Sequence, residues 1–145
     1  MPFQDILEEL LESTAASRTT LRLDLPDRRL HVDRVAAEAV APGVRSIAED
    51  GSIDQRALPT VRFLEEERRT LVQNDCSNAD PSPPPALIEF YGVKAQMLEP
   101  IVRDEHLLGW ISVHYTPGPR EWSEGDIGAL SRAVERVQRE LGGTN

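Results

Sequence analysis

Apolar positions along this chain follow two periods, and the changes between them divide it into elements. Phe3, Ile6, Leu7, Leu10 and Leu11 recur at the i, i+3, i+4, i+7 spacing of one helical face, which predicts a first helix over 3–16, within 1–18. Asp5, Glu8 and Glu9 sit in its first two turns, where the helix dipole favours negative charge. The period drops to two at Thr19–Leu25: Leu21, Leu23 and Leu25 share a face, predicting a half-buried strand stopped by Pro26-Asp27. A second strand is expected over 30–40, starting at Leu30-His31-Val32 and forming a hairpin with the first. Its Ala-rich piece, Val35 to Val40, suits a helix equally well. From Pro42 to Pro59 the chain reads as irregular, broken by Gly43 and Gly51, with Ser52 and Gln55 spaced to cap a short helical turn.

Val61, Phe63 and Leu64 open a helix near Thr60 that runs into Glu65-Glu66-Glu67-Arg68-Arg69, a charge run read as a solvated face. Thr70–Gln73 is a short strand. Asn74–Pro85, NDCSNADPSPPP, has no periodicity and is a loop of the length that often forms a lid or binding segment. Ala86–Tyr91 makes one or two helical turns closed by Gly92. Lys94–Val102 is an apolar strand, and Arg103–His106 turns the chain back into another, 107–115. There Leu107, Ile111, Val113 and Tyr115 are assigned to one face and Trp110, Ser112 and His114 to the other. Thr116-Pro117-Gly118-Pro119 stops it, because proline has no N–H for the ladder. Ser123 and Asp126 then form a capping box, and Trp122 and Ile127 a hydrophobic staple, at the start of a last helix over 123–141. Ile127, Leu130, Val134, Val137 and Leu141 make a three-and-four seam, suited to the core and also to a homodimer through the terminal helices.

At 145 residues the chain suits one domain, taken as 1–145. Hydrophobic residues at 39% and charged ones at 28% fit a soluble globular protein. No run approaches the ~18 apolar residues of a membrane span. The acidic start, MPFQDILEELLES, is unlike an export signal. One cysteine, Cys76, excludes an intrachain disulfide and suits a cytoplasmic setting. A net charge of −9 and a pI near 4.8 argue against nucleic acid as a partner. His31, His106, His114 and Cys76 match no metal-ligand spacing, and there is no Gly-rich phosphate loop or G-x-S-x-G elbow. No metal or cofactor is expected.

The order and several of the residues resemble the GAF domain family of small-molecule sensors. Thr60–Glu65 leading to Val72-Gln73-Asn74-Asp75 looks like the family's helix and acid-ended strand. Tyr91-Gly92-Val93-Lys94-Ala95 and Glu99-Pro100-Ile101-Val102 look like its next strand. Gly109–His114 resembles its glycine-led strand, and Trp122–Asp126 the start of its last helix. The likeness is good over 60–141 and loose over 1–59. It implies an α+β, three-layer α/β/α fold: a central antiparallel sheet with the N- and C-terminal helices on one face and a pocket on the other. Family subtypes are narrowed by absences. The several cysteines of methionine-sulfoxide-reducing members are missing, and so is the Asn-Lys…Phe…Asp-Glu signature of cyclic-nucleotide binders. The cysteine–histidine pair of bilin binders is missing too, since the short helix reads Ala86-Leu87-Ile88-Glu89-Phe90-Tyr91.

Candidate ligand contacts follow from the strand faces. Trp110, Ser112 and His114 share one; Trp110 offers an apolar wall and His114 a switchable hydrogen-bonding group, or both are core. Phe90 and Tyr91 flank the loop, one as core and the other as a ligand contact. Asp75 ends a strand where it can orient a ligand or cap a turn. Gln96 and Glu99 lie on opposite pleat faces, so only one can face a pocket. Arg45 can reach an anion. The leading expectation is a module that binds a small organic ligand and acts through a separate signalling protein. The alternatives are an interaction subunit with a vestigial pocket and, with less support, an enzyme pairing His114 with Asp75.

Overall fold

The computed structural model describes residues 2–51 and 53–142. Five strands, β1 (Arg18–Leu23), β2 (Ala37–Val40), β3 (Leu71–Gln73), β4 (Ala95–Arg103) and β5 (His106–Tyr115), form one antiparallel sheet in the order β2-β1-β5-β4-β3. Helices α1 (Pro2–Thr14) and α4 (Glu124–Glu140) cover one face; α2 (Pro59–Glu67), α3 (Pro85–Glu89) and Ile47, Asp50, Ile53, Gln55 and Leu58 of the irregular chain before α2 lie over the other. This is the expected three-layer α+β arrangement.

On the helical face, Phe3, Ile6, Leu7 and Leu10 of α1 meet Leu130, Val134 and Val137 of α4 above Leu21, Leu23, Met97, Ile111 and Val113 of the sheet. Each fully buried aliphatic side chain contributes about 1.5–3 kcal/mol. The α4 seam is therefore filled by the chain's own α1 and sheet. The helix starts where its sequence says. Ser123 Oγ accepts from Asp126 N and Asp126 Oδ2 from Ser123 N, both at 3.0 Å, while Trp122 and Ile127 pack against the same core.

Four readings need correction. The first helix stops at Thr14, short of 16–18, where Ala15 turns the chain at φ 52°. β1 is buried on both faces along all six residues, because it lies inside the sheet and the second face is roofed. The second strand is only Ala37–Val40: a 3₁₀ turn at Pro26–Arg28 and left-handed Arg29 curl the preceding chain, and Val32 N is bound to Asp24 Oδ1 at 3.0 Å instead of a ladder. Leu107 does not share the face of Ile111. Val102 pairs with Leu107 but Ile101 with Gly109, so Leu108 is an extra, bulged residue and the alternation inverts there. Leu107 thus packs with Trp110 and Leu98, and Leu108 with the helical-face core.

Elsewhere the sequence reading matches the folded chain. The charge run 65–69 is exposed, Gly92 turns with φ 69°, and 74–84 is loop around a 3₁₀ turn at Cys76–Asn78. The turn at Gln55–Ala57 follows Asp54; the Ser52 cap falls outside the described residues.

Candidate functional site

Register aligns the floor of the roofed face in rows across the strands. Arg18, His114, Gln96 and Gln73 form one row; Thr20, Ser112, Leu98 and Leu71 form the next; Arg22, Trp110 and Pro100 form a third. Above the rows lies a cavity of about 60 Å³, walled by Ile47, Asp50 and Ile53 of the irregular segment, Thr60 and Val61 of α2, and Leu87 and Tyr91 around α3. That volume is well below the ~300 Å³ at which drug-sized pockets begin.

The first row holds two hydrogen-bonded polar pairs. Arg18, fully buried, sends Nη1 to His114 Nδ1 at 2.9 Å and forks Nε and Nη2 onto the Arg45 carbonyl at 3.1 and 2.8 Å, with Glu38 Oε2 4.0 Å away. A guanidinium only donates, so Nδ1 must accept and the proton of neutral His114 sits on Nε2. Burial, then Arg18 and Arg22, holds the His114 imidazole well below its ordinary pKa of 6.5. Farther along, Gln96 donates to Gln73 Oε1 at 2.8 Å and Gln73 to the Pro81 carbonyl at 2.6 Å. At the wall, Tyr91 Oη donates to Asp50 Oδ2 at 3.2 Å.

Arg22 differs from Arg18. It is 6% exposed and lines the cavity, yet its one side-chain hydrogen bond to the described residues is Nη1 to the Val32 carbonyl at 2.9 Å. No carboxylate among them lies within ion-pair distance. Burial pushes the guanidinium below its ordinary pKa, and Asp33, Asp50 and Glu38 act on it only at longer range.

The GAF domain family profile matches residues 2–141. This chain belongs to the GAF domain family. Solved GAF structures agree in fold. The cyanobacteriochrome TePixJ GAF domain of Thermosynechococcus elongatus superposes with TM-score 0.76 at 20% identity, over 97% of this chain and 86% of that one. The far-red absorbing dark state of JSC1_58120g3 with bound biliverdin IXa gives 0.72 at 17%, over 96% and 86%. The chromophore-binding domain of the bacteriophytochrome RpBphP3 from R. palustris gives 0.72 at 20%, over 97% of this chain and 54% of that one. No functionally curated protein matches the chain.

Of the residues selected from sequence, this GAF domain brings Tyr91, Gln96, Trp110, Ser112 and His114 together at the cavity. Asp75 and Phe90 lie outside it. Asp75 Oδ1 caps the 3₁₀ turn, accepting from Ser77 N and Oγ at 3.1 and 2.7 Å. Phe90 is 60% exposed, with the Arg45 guanidinium 4.2 Å over its ring. The His114–Asp75 acid–base pairing is corrected accordingly, since His114 Nδ1 is held by Arg18 and Asp75 by Ser77. Glu99 takes the opposite pleat face, accepting from Ser131 of α4 at 2.8 Å. Arg18, Thr20, Arg22 and Thr60 were missed. The signal for the first three was an Arg-Thr-Arg alternation on one face of a strand, hidden by reading that face as solvated.

A bilin, bound in the relative above, does not fit these residues. No cysteine lines the cavity. Cys76 is 2% exposed, and burial with Asp75 beside it pushes its thiol up to about 11, which disfavours the reactive thiolate. The cavity volume points the same way.

Proposed function

We propose that this GAF domain is a regulatory sensor that binds a small organic molecule in the roofed cavity and acts through a separate partner protein. The observation that carries the proposal is the floor. Thr20, Arg22, Gln96, Ser112 and His114, polar side chains of three strands, face a cavity with apolar walls, and His114 and Gln96 are held from behind by Arg18 and Gln73, the mix expected of a small-molecule site. A second copy is a further partner in this reading. With the α4 seam filled, it would join through the outward faces of the terminal helices, and sedimentation as a clean monomer at high concentration would remove it. The small volume favours one competitor, an interaction subunit whose cavity has closed.

Native mass spectrometry of protein as purified and a thermal-shift screen of metabolite-sized molecules separate the two. A bound or stabilising compound whose effect disappears in Ser112→Leu, which fills the cavity floor, supports the sensor. Stabilisation that survives Ser112→Leu counts against it. So does the absence of any ligand response beside recovery of one stoichiometric protein partner.

A further inference from the structure

We propose that the molecule this cavity takes is a small carboxylate, its carboxylate group held by Arg22 and His114 and its short carbon skeleton lying against Trp110, Leu87 and Val61. The inference rests on the sensor reading of the same cavity and adds the chemical class of its ligand.

Three features of the site select that class. The first is donor excess. Arg22 has five N–H donors and commits one to the Val32 carbonyl; the rest have no acceptor among the described residues. His114, with Nδ1 bound to Arg18, presents Nε2–H, which likewise has no partner among them. Both side chains line the cavity, and no fully enclosed side-chain polar atom of the described residues lacks a partner. The uncommitted donors therefore belong to atoms that still reach open space, and the cavity supplies it. Thr20, Thr60 and Ser112 add hydroxyls that can donate.

The second feature is charge. The Arg22 side chain is buried without an ion-pair partner, an arrangement that an incoming anion would relieve and a neutral molecule would not. Asp50 is the carboxylate among the lining residues, and it receives the Tyr91 hydroxyl. A planar carboxylate also matches the guanidinium fork, where a single acceptor would use half of it. The third feature is size. About 60 Å³ admits a carboxylate with a few carbons and excludes a nucleotide or a tetrapyrrole.

The test uses the full chain after exhaustive dialysis. Calorimetry is run with acetate, propionate and butyrate, each beside its amide, and with inorganic phosphate. NMR follows the Arg22 Nε–H resonance. At least one acid is expected to bind ten-fold or more tightly than its amide and to move that resonance. Arg22→Lys should keep a weakened preference for the acid, and Arg22→Met should lose it. The wild-type resonance supplies the answer should Arg22→Met fail to fold. An amide that binds as tightly as its acid and competes for the cavity overturns the carboxylate while leaving the sensor reading intact. Tighter binding of phosphate overturns it in favour of a tetrahedral anion. Acid binding that leaves Arg22 unmoved places the ligand on a surface arginine and also overturns it. Absence of binding by every acid overturns the carboxylate, and absence of any ligand in the wider screen then removes the sensor reading as well.

Discussion

Lowering the pH should unfold this domain earlier than its carboxylates do, and His114 is the reason. Its imidazole is buried, accepts a hydrogen bond from Arg18 and lies near the Arg22 charge, so the folded state resists protonating it. The unfolded chain has no such resistance and takes up the proton near the ordinary 6.5. A folded pKa below the unfolded one contributes stability that is present above the unfolded value and lost as pH falls below it. Each pH unit in that window costs up to about 1.36 kcal/mol. Between pH 8 and pH 5, RT ln(1 + 10^1.5) sets an upper limit of about 2 kcal/mol from this one group, a large share of the roughly 5–15 kcal/mol of a typical domain. Urea titrations at pH 5, 6, 7 and 8 on wild type and on His114→Gln measure it. The glutamine keeps an acceptor for Arg18 but does not titrate. Subtracting the two curves removes every other titrating group, and the difference should fall from pH 8 to pH 5, by up to about 2 kcal/mol. Parallel curves for the two proteins would refute a neutral, arginine-bound His114.

Two further substitutions probe the frame that carries the cavity. A Cβ built on Gly109 would stand 1.9 Å from the Arg22 carbonyl oxygen, so Gly109→Ala must push β1 and β5 apart. It should cost about 1–3 kcal/mol in chemical denaturation, and a neutral effect would mean the strands do not cross so closely. Ser123→Ala breaks the capping box of α4 and should lower stability by about 1 kcal/mol; an unchanged midpoint would show that Asp126 alone holds the helix start.

What was legible in the sequence was local chemistry. The Ser123–Asp126 box, the Gly92 turn and the one-sided face of α1 need only neighbours a few residues away, and each is found as expected, although α1 stops at Thr14. What failed depended on partners far along the chain. β1 looked half-buried because alternation cannot reveal a roof made by residues 41–61. Arg18 and Arg22 therefore looked like solvent-facing charge, although Arg22 lines the cavity and Arg18 holds the His114 that lines it. The bulge at Leu108 left no mark in composition, since Leu107-Leu108 is apolar in either register, and it reversed the face assigned to Leu107. Four of the seven chosen site residues, Gln96, Trp110, Ser112 and His114, met at the cavity because β4 and β5 keep a regular alternation over 110–115 and 95–98, and Tyr91 joins them from the turn after α3. Asp75 and Phe90 sit on segments with no such period, so side-chain direction there was undetermined.

The cavity floor is also tied to the start of α4. Gln96, which lines the cavity, donates to Gln73; the Gln73 carbonyl accepts from Trp122 Nε1 at 3.3 Å; and the residue after Trp122 is the Ser123 cap. Arg120 closes the arrangement, its guanidinium 4.4 Å over the Trp122 ring and 3.1 Å from Asp126 Oδ2 of the capping box, while its backbone N–H reaches the Asn74 carbonyl at 2.9 Å. Proximity of this kind is a connection and not yet a coupling, which would require two arrangements of the line that ligand biases differently. The geometry does limit where such a change could enter. β3 is three residues long and paired with β4 alone, so it is the strand with the least ladder to lose, and it carries both Gln73 and the step into the 74–84 loop. A ligand that drew Gln96 of β4 toward the cavity would pull, through its amide, on Gln73 of β3, whose carbonyl holds Trp122.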